Sequence, residues 1–143
     1  MDLITFAIVV GLFELVAGLA FVVSPVKALA RVLKNRHHFE VHTLTNSQAT
    51  AEGIRRAFKK HLIDCVKTKG DIAYFHFSGH GQQVPDQENG DESDGYDEAI
   101  VPFDNQGLRN PDGHVRDDEI ETWIAALTRK TDHVVFSFDS CHS

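Results

Sequence analysis

Cysteine is close to absent from this chain: Cys65 and Cys141 are the only two. That excludes a disulfide framework, and the pair lacks the close spacing of a zinc site. A reducing compartment, and so a cytoplasmic location, is the expectation. Positive charge is also thin, with 14 Lys and Arg against 21 Asp and Glu and a formal charge of −7. Nucleic acid and anionic membrane surfaces attract basic faces, so neither is expected as the main partner. Between Gln83 and Leu108 there is no Lys or Arg at all, while Asp86, Glu88, Asp91, Glu92, Asp94, Asp97, Glu98 and Asp104 fall there. Such a run reads as a solvated loop.

What is present is core-forming material: 143 residues, 42% of them hydrophobic, with ten Phe. That is the size of one domain, expected over residues 1–143. Leu3 to Val23 is apolar enough to suggest a membrane anchor, yet no Lys or Arg precedes it and Glu14 would lie near mid-bilayer. A buried first strand over Thr5 to Leu12 is the preferred reading, with a membrane anchor as the alternative.

Along the chain, Ser24-Pro25 marks a helix start, and Val26, Leu29, Ala30 and Leu33 follow at helical spacing. Phe39 to Leu44 reads as a strand. A helix opening at Thr50 carries Ile54, Phe58, Leu62, Cys65 and Val66 on one stripe, with Arg55, Arg56, Lys59 and Lys60 outside. Asp71 to Gln83 then runs apolar and stops at His80, held between Gly79 and Gly81. Asp117-Asp118-Glu119 opens a helix with Ile120, Trp123, Ile124 and Leu127 inward, and His133 to Phe138 is a last apolar run ending in Asp139-Ser140-Cys141. Alternating strands and helices predict an α/β fold, a mostly parallel sheet with helices on both faces, whose function gathers at the carboxyl ends of the strands.

The chemistry follows from that edge. A thiol becomes a competent nucleophile when an imidazole takes its proton, and His80 and Cys141 both lie just past strand ends. The backbone N–H groups of Gly81 and Cys141 are candidates for binding an oxyanion. Cys65, on a helix stripe, reads as core. His76, His114, His133 and His142 read as strand, loop or turn residues.

Phe77-Ser78-Gly79-His80-Gly81, Asp94-Gly95-Tyr96-Asp97-Glu98, Val115-Arg116-Asp117-Asp118-Glu119 and Phe138-Asp139-Ser140-Cys141-His142-Ser143 together resemble the successive signatures of metacaspases, caspase-like cysteine peptidases. The resemblance implies a caspase-like fold and cleavage after Arg or Lys by a Cys141–His80 dyad. It assigns Ser78 and Asp139 to an acidic substrate pocket and Asp97, Asp117 and Asp118 to calcium, the family's usual activator. Helix capping alone is the other reading of Asp117 and Asp118. Pro25 and Val22 depart from the family pattern, which removes part of the pocket. The family chain continues past the Cys-His-Ser motif, so the resemblance also implies a domain cut just after its nucleophile. Self-association, or completion by a small-subunit-type segment, is the associated expectation. An inactive caspase-like interaction module and a different acyl-transfer hydrolase are the rival readings.

Overall fold

The computed structural model describes residues 5–11, 25–86, 95–105 and 113–141. Four apolar runs become the strands of one parallel sheet: β1 (Thr5–Gly11), β2 (Glu40–Thr45), β3 (Ile72–Ser78) and β7 (His133–Asp139), in the order β2-β1-β3-β7. The central pair, β1 and β3, is covered on both faces, which is why those runs read as near-continuous apolar sequence. The helices are α1 (Pro25–His37), α2 (Ala51–Phe58) and α3 (Asp117–Thr128). On one face α1 sets Val26 and Leu33 against Ala7, with Tyr74 and Val41 alongside. On the other, α2 and α3 close over Ile8, Val10, Phe75 and Phe77. The expected parallel sheet with helices on both faces is what forms.

Local chemistry sets the helix starts. Thr50 Oγ1 accepts from the N–H of Gly53 at 3.0 Å, capping α2. Asp117, Asp118 and Glu119 fill the first turn of α3, where carboxylates suit the helix dipole. Before β3, the buried Asp71 carboxylate accepts from the N–H groups of Lys67 and Thr68 at 2.7 and 2.9 Å and from the Thr68 hydroxyl at 2.8 Å. That fixes the turn from which β3 departs.

Four features differ from the sequence reading. First, the acid-rich run holds β4 (Gly81–Pro85) and β5 (Tyr96–Ile100), which with β6 (Val115–Arg116) make a small antiparallel sheet. Its inward positions, Val84, Asp97, Ala99 and Ile100, are buried, and the charged neighbours mask that alternation. Second, the helix after Thr50 changes to a π-helical turn over Lys59–Ile63. Third, Arg55 does not sit outside: it is half-buried and clamps α2 to α3, with two bonds to the Glu119 carboxylate at 2.8 and 2.9 Å and one to the His114 carbonyl. Fourth, Ile124 faces outward at 37% exposure. The first strand is described over Thr5–Gly11, and Leu12 lies outside the described residues. Ser24, Val22 and most of Leu3 to Val23 lie outside the described residues, and among those described no helix is long and apolar enough to cross a membrane.

Phe58 ties the larger core together, stacked on Trp123 with centroids 4.4 Å apart and edge-on to Phe75 at 5.7 Å. Its ring is 1% exposed. Phe58→Ala is expected to lower folding stability by about 3–5 kcal/mol, read from the urea midpoint. A loss under about 1 kcal/mol would mean that the cluster collapses around the gap.

Candidate functional site

β3 and β7 pair in parallel, with Ser78 opposite Asp139 as the last matched residues. The ladder runs one step further, the Gly79 N–H donating to the Asp139 carbonyl at 3.1 Å. His80 and Cys141 therefore follow at equal distance past the ends of adjacent strands, which lie about 4.8 Å apart. Both are exposed. The His80 carbonyl accepts from the Val101 N–H at 2.9 Å, fastening this corner to the small sheet just after β5.

Gly81 opens β4 and is buried against the thiol loop. A Cβ there would collide with the Cys141 carbonyl oxygen and touch Ser140 Oγ at 3.4 Å. The close approach of the two loops thus requires glycine at this position. Cys141 Sγ lies 3.9 Å from the Gly81 carbonyl, the reach of a weak S–H donor.

Of the residues assigned to a substrate pocket, Ser78 Oγ donates to Asp139 Oδ2 at 3.4 Å, an exposed pair at the strand ends. Neither lines the cavity beside the thiol. That cavity, about 210 Å³, is walled by Gly81, Gln82, Glu98, Asp117, Phe138 and Cys141 among others. Glu98 and Gln82 were not legible as site residues, since β4 and β5 were read as loop. The Gln82 amide nitrogen is buried with no partner among the described residues.

The three candidate calcium ligands are only partly brought together. Asp97, 1% exposed, forms an ion pair with Arg116, which also donates to the Pro85 carbonyl at 2.9 Å. Burial pushes the Asp117 carboxyl above its ordinary range, helped by the neighbouring carboxylates of Asp97 and Glu98 and opposed by backbone N–H groups. Asp118 donates its N–H to Asp117 Oδ1 at 3.1 Å. Among the described residues no three His, Cys, Asp or Glu side chains form a metal-binding group. With Asp97 already matched to a guanidinium, the set does not fit a calcium ion as it stands. His142 and most of the acidic run, Glu88 to Asp94, lie outside the described residues.

The remaining candidates are structural. His76 is buried in β3 with Nδ1 3.2 Å from Ser137 Oγ. Cys65 packs half-buried against the core, its Sγ 3.2 Å from the Lys60 carbonyl, and burial raises its thiol.

Comparison with known proteins places these elements in context. The family model for the metacaspase, peptidase C14 domain matches residues 8–143. Metacaspase III c of Phaeodactylum tricornutum is 32% identical over 127 residues, covering 84% of this chain and 36% of that protein. Metacaspase-1 of Pyricularia oryzae is 39% identical over 97 residues, 68% of this chain and 23% of that protein. The chain thus spans between about a quarter and about a third of the length of these relatives. A crystal structure of a Geobacter sulfurreducens protein superimposes with a TM-score of 0.69 at 28% identity, covering 98% of this chain and 51% of that one.

The two thiols differ in access, so alkylation distinguishes them. Iodoacetamide at pH 8 is expected to modify exposed Cys141 before Cys65, whose thiolate is disfavoured by burial. Peptide mapping reads the order, and equal rates in the folded protein would overturn this ranking.

Proposed function

Because the chain belongs to the metacaspase family of C14 peptidases, we propose that it carries a cysteine endopeptidase centre in which Cys141 is the nucleophile and His80 the base. The observation supporting this is the β3–β7 register, Ser78 opposite Asp139, which leads imidazole and thiol past adjacent strand ends in step. In this reading His80 takes the Cys141 proton as sulfur attacks the carbonyl carbon of the scissile peptide bond. The carbonyl electrons move to oxygen, facing the N–H groups of Gly81 and Cys141. Collapse breaks the C–N bond, and the leaving amine takes the proton from His80. Water then adds to the thioester with His80 again accepting a proton, releasing the acid and restoring the thiol. The unpartnered Gln82 amide beside the thiol suits a substrate carbonyl.

Substrate choice is proposed to favour Arg or Lys. Asp139, which accepts from the Ser78 hydroxyl and is set at the strand end, supports recognition of a basic side chain, and Glu98 and Asp117 make the adjoining cavity acidic as well. Partners are accordingly peptide or protein substrates with exposed basic residues. Turnover of a fluorogenic Arg peptide tests this. Cys141→Ala should abolish it and His80→Ala should lower kcat by about 10²- to 10⁴-fold. Asp139→Asn should cost about tenfold to a hundredfold in kcat/KM for Arg. If Glu98→Gln has that effect and Asp139→Asn none, the basic side chain enters the cavity instead. No turnover, with binding of the same peptide retained, would favour an interaction module.

Calcium stimulation is a separate proposal, and no step above uses the ion. A divalent cation would have to draw Asp97 away from Arg116, so binding is expected to be weak, about 10⁻⁴ to 10⁻³ M. Titration calorimetry on wild type and an Asp97→Asn, Asp118→Asn double variant decides it. Equal heats would leave these aspartates to the ion pair and the helix start.

A further inference from the structure

A second cavity, about 370 Å³, lies between the edge strand β2 and the face of α2, remote in character from the acidic one. Its polar lining consists mainly of His42, Gln48, Thr50, Arg56, Lys60 and His61, and no carboxylate contributes. In a chain with 21 acids to 14 bases that is an exception. The neighbouring cations in the same turns are neutralised, Arg55 by Glu119 and Lys59 by Asp64 at 3.0 Å. Arg56 and Lys60, one helical turn apart and facing the cavity, have no such partner among the described residues.

The imidazoles add a second observation. His42 and His61 stack with centroids 3.8 Å apart and planes 14° from parallel, an arrangement that two imidazolium ions would oppose. His61 and Lys60 belong to the π-helical turn, a local distortion common at functional sites. Burial holds both imidazoles below their ordinary 6.5, with the Lys60 charge acting in the same direction on each and His61 also acting on His42. The charged groups around the pair are Lys60 and Arg56 on the helical segment and Glu40 at the start of β2, and only Glu40 favours protonation.

We propose that this cavity binds a phosphate-bearing anion, gripped by Arg56 and Lys60 with the stacked imidazoles beside it. A guanidinium fork matches two phosphate oxygens, an ammonium supplies a point charge, and the Gln48 amide and Thr50 hydroxyl offer neutral donors. Thr50 is free to donate because its oxygen accepts, rather than gives, the capping bond from Gly53. The volume lies within the range of small-ligand sites, about 300–1,000 Å³. A dianion in the cavity reverses the local field on His42 and His61, so binding takes up protons and tightens as pH falls from about 7.5 to 6. The inference stands whether or not the chain cleaves peptides.

The test uses the full chain with sodium tripolyphosphate as probe, against sodium chloride at matched ionic strength. The expected result is saturable movement of the His42 and His61 imidazole NMR resonances, with their titration midpoints displaced upward. An Arg56→Ala, Lys60→Ala double variant changes two exposed side chains, so its unliganded melting temperature should stay near wild type while its affinity falls at least tenfold. His61→Phe keeps a stacked ring but no proton, and should bind at pH 7.5 yet tighten less on acidification, ligand protonation being common to both proteins. Movement no greater than chloride gives, resonance shifts confined to other residues, or undiminished affinity in the double variant would overturn the site. Undiminished tightening in His61→Phe would overturn the proton coupling.

Discussion

Two parallel strands hydrogen-bonded in register must bring their carboxyl ends to the same edge, and the rest of this molecule serves that constraint. The β3–β7 ladder carries it from Ile72 opposite His133 to Ser78 opposite Asp139. A slip of one residue would send His80 and Cys141 to different heights and opposite faces. The register is protected because β3 is apolar on both faces: Phe75 and Phe77 face α2 and α3, and Tyr74 faces α1. The Phe58–Trp123 stack presses on the same strand from above, so core packing and site geometry are a single problem here.

The small antiparallel sheet does the complementary work. β4 starts at Gly81, immediately after the rim histidine, and the Val101 N–H following β5 returns to the His80 carbonyl. This insert is acidic in sequence yet carries its own counter-charge, because Arg116 of β6 neutralises Asp97 of β5 inside it. A buried carboxylate without that guanidinium would be costly, which makes the pair a condition for packing β5 against the main core. Phe103 and Asp104 then bind the Ala49–Ala51 turn, linking the insert to the start of α2.

The main sheet was legible because its strands are long apolar runs punctuated by Gly, Asp or Ser, and its helices begin on recognisable caps such as Thr50. The positions of His80 and Cys141 could be read for the same reason, both following such runs. The insert was not legible. In β4 and β5 the inward Val84, Asp97 and Ala99 alternate with Gln, Glu and Tyr, and one inward residue is itself charged, so the period of two disappears under the composition. Glu98, Gln82 and the His42–His61 stack were missed for a related reason. Each depends on a neighbour brought in by tertiary pairing, or by a π turn that helical spacing does not anticipate.

The 61 residues that separate Ser78 from Asp139 also bear on when the rim exists. Closing so long a span costs chain entropy that local structure cannot offset, so the β3–β7 contact belongs to the later events of folding. Until β7 docks, imidazole and thiol are strangers on one polymer. Among the described residues β7 pairs with β3 alone, on one edge of the sheet as β2 is on the other, so it can open without disturbing the central β1–β3 pair. If the thiol and imidazole act together as proposed, an immature or partly opened chain lacks that pairing at this edge, and peptidase turnover reports on whether the β3–β7 contact has formed.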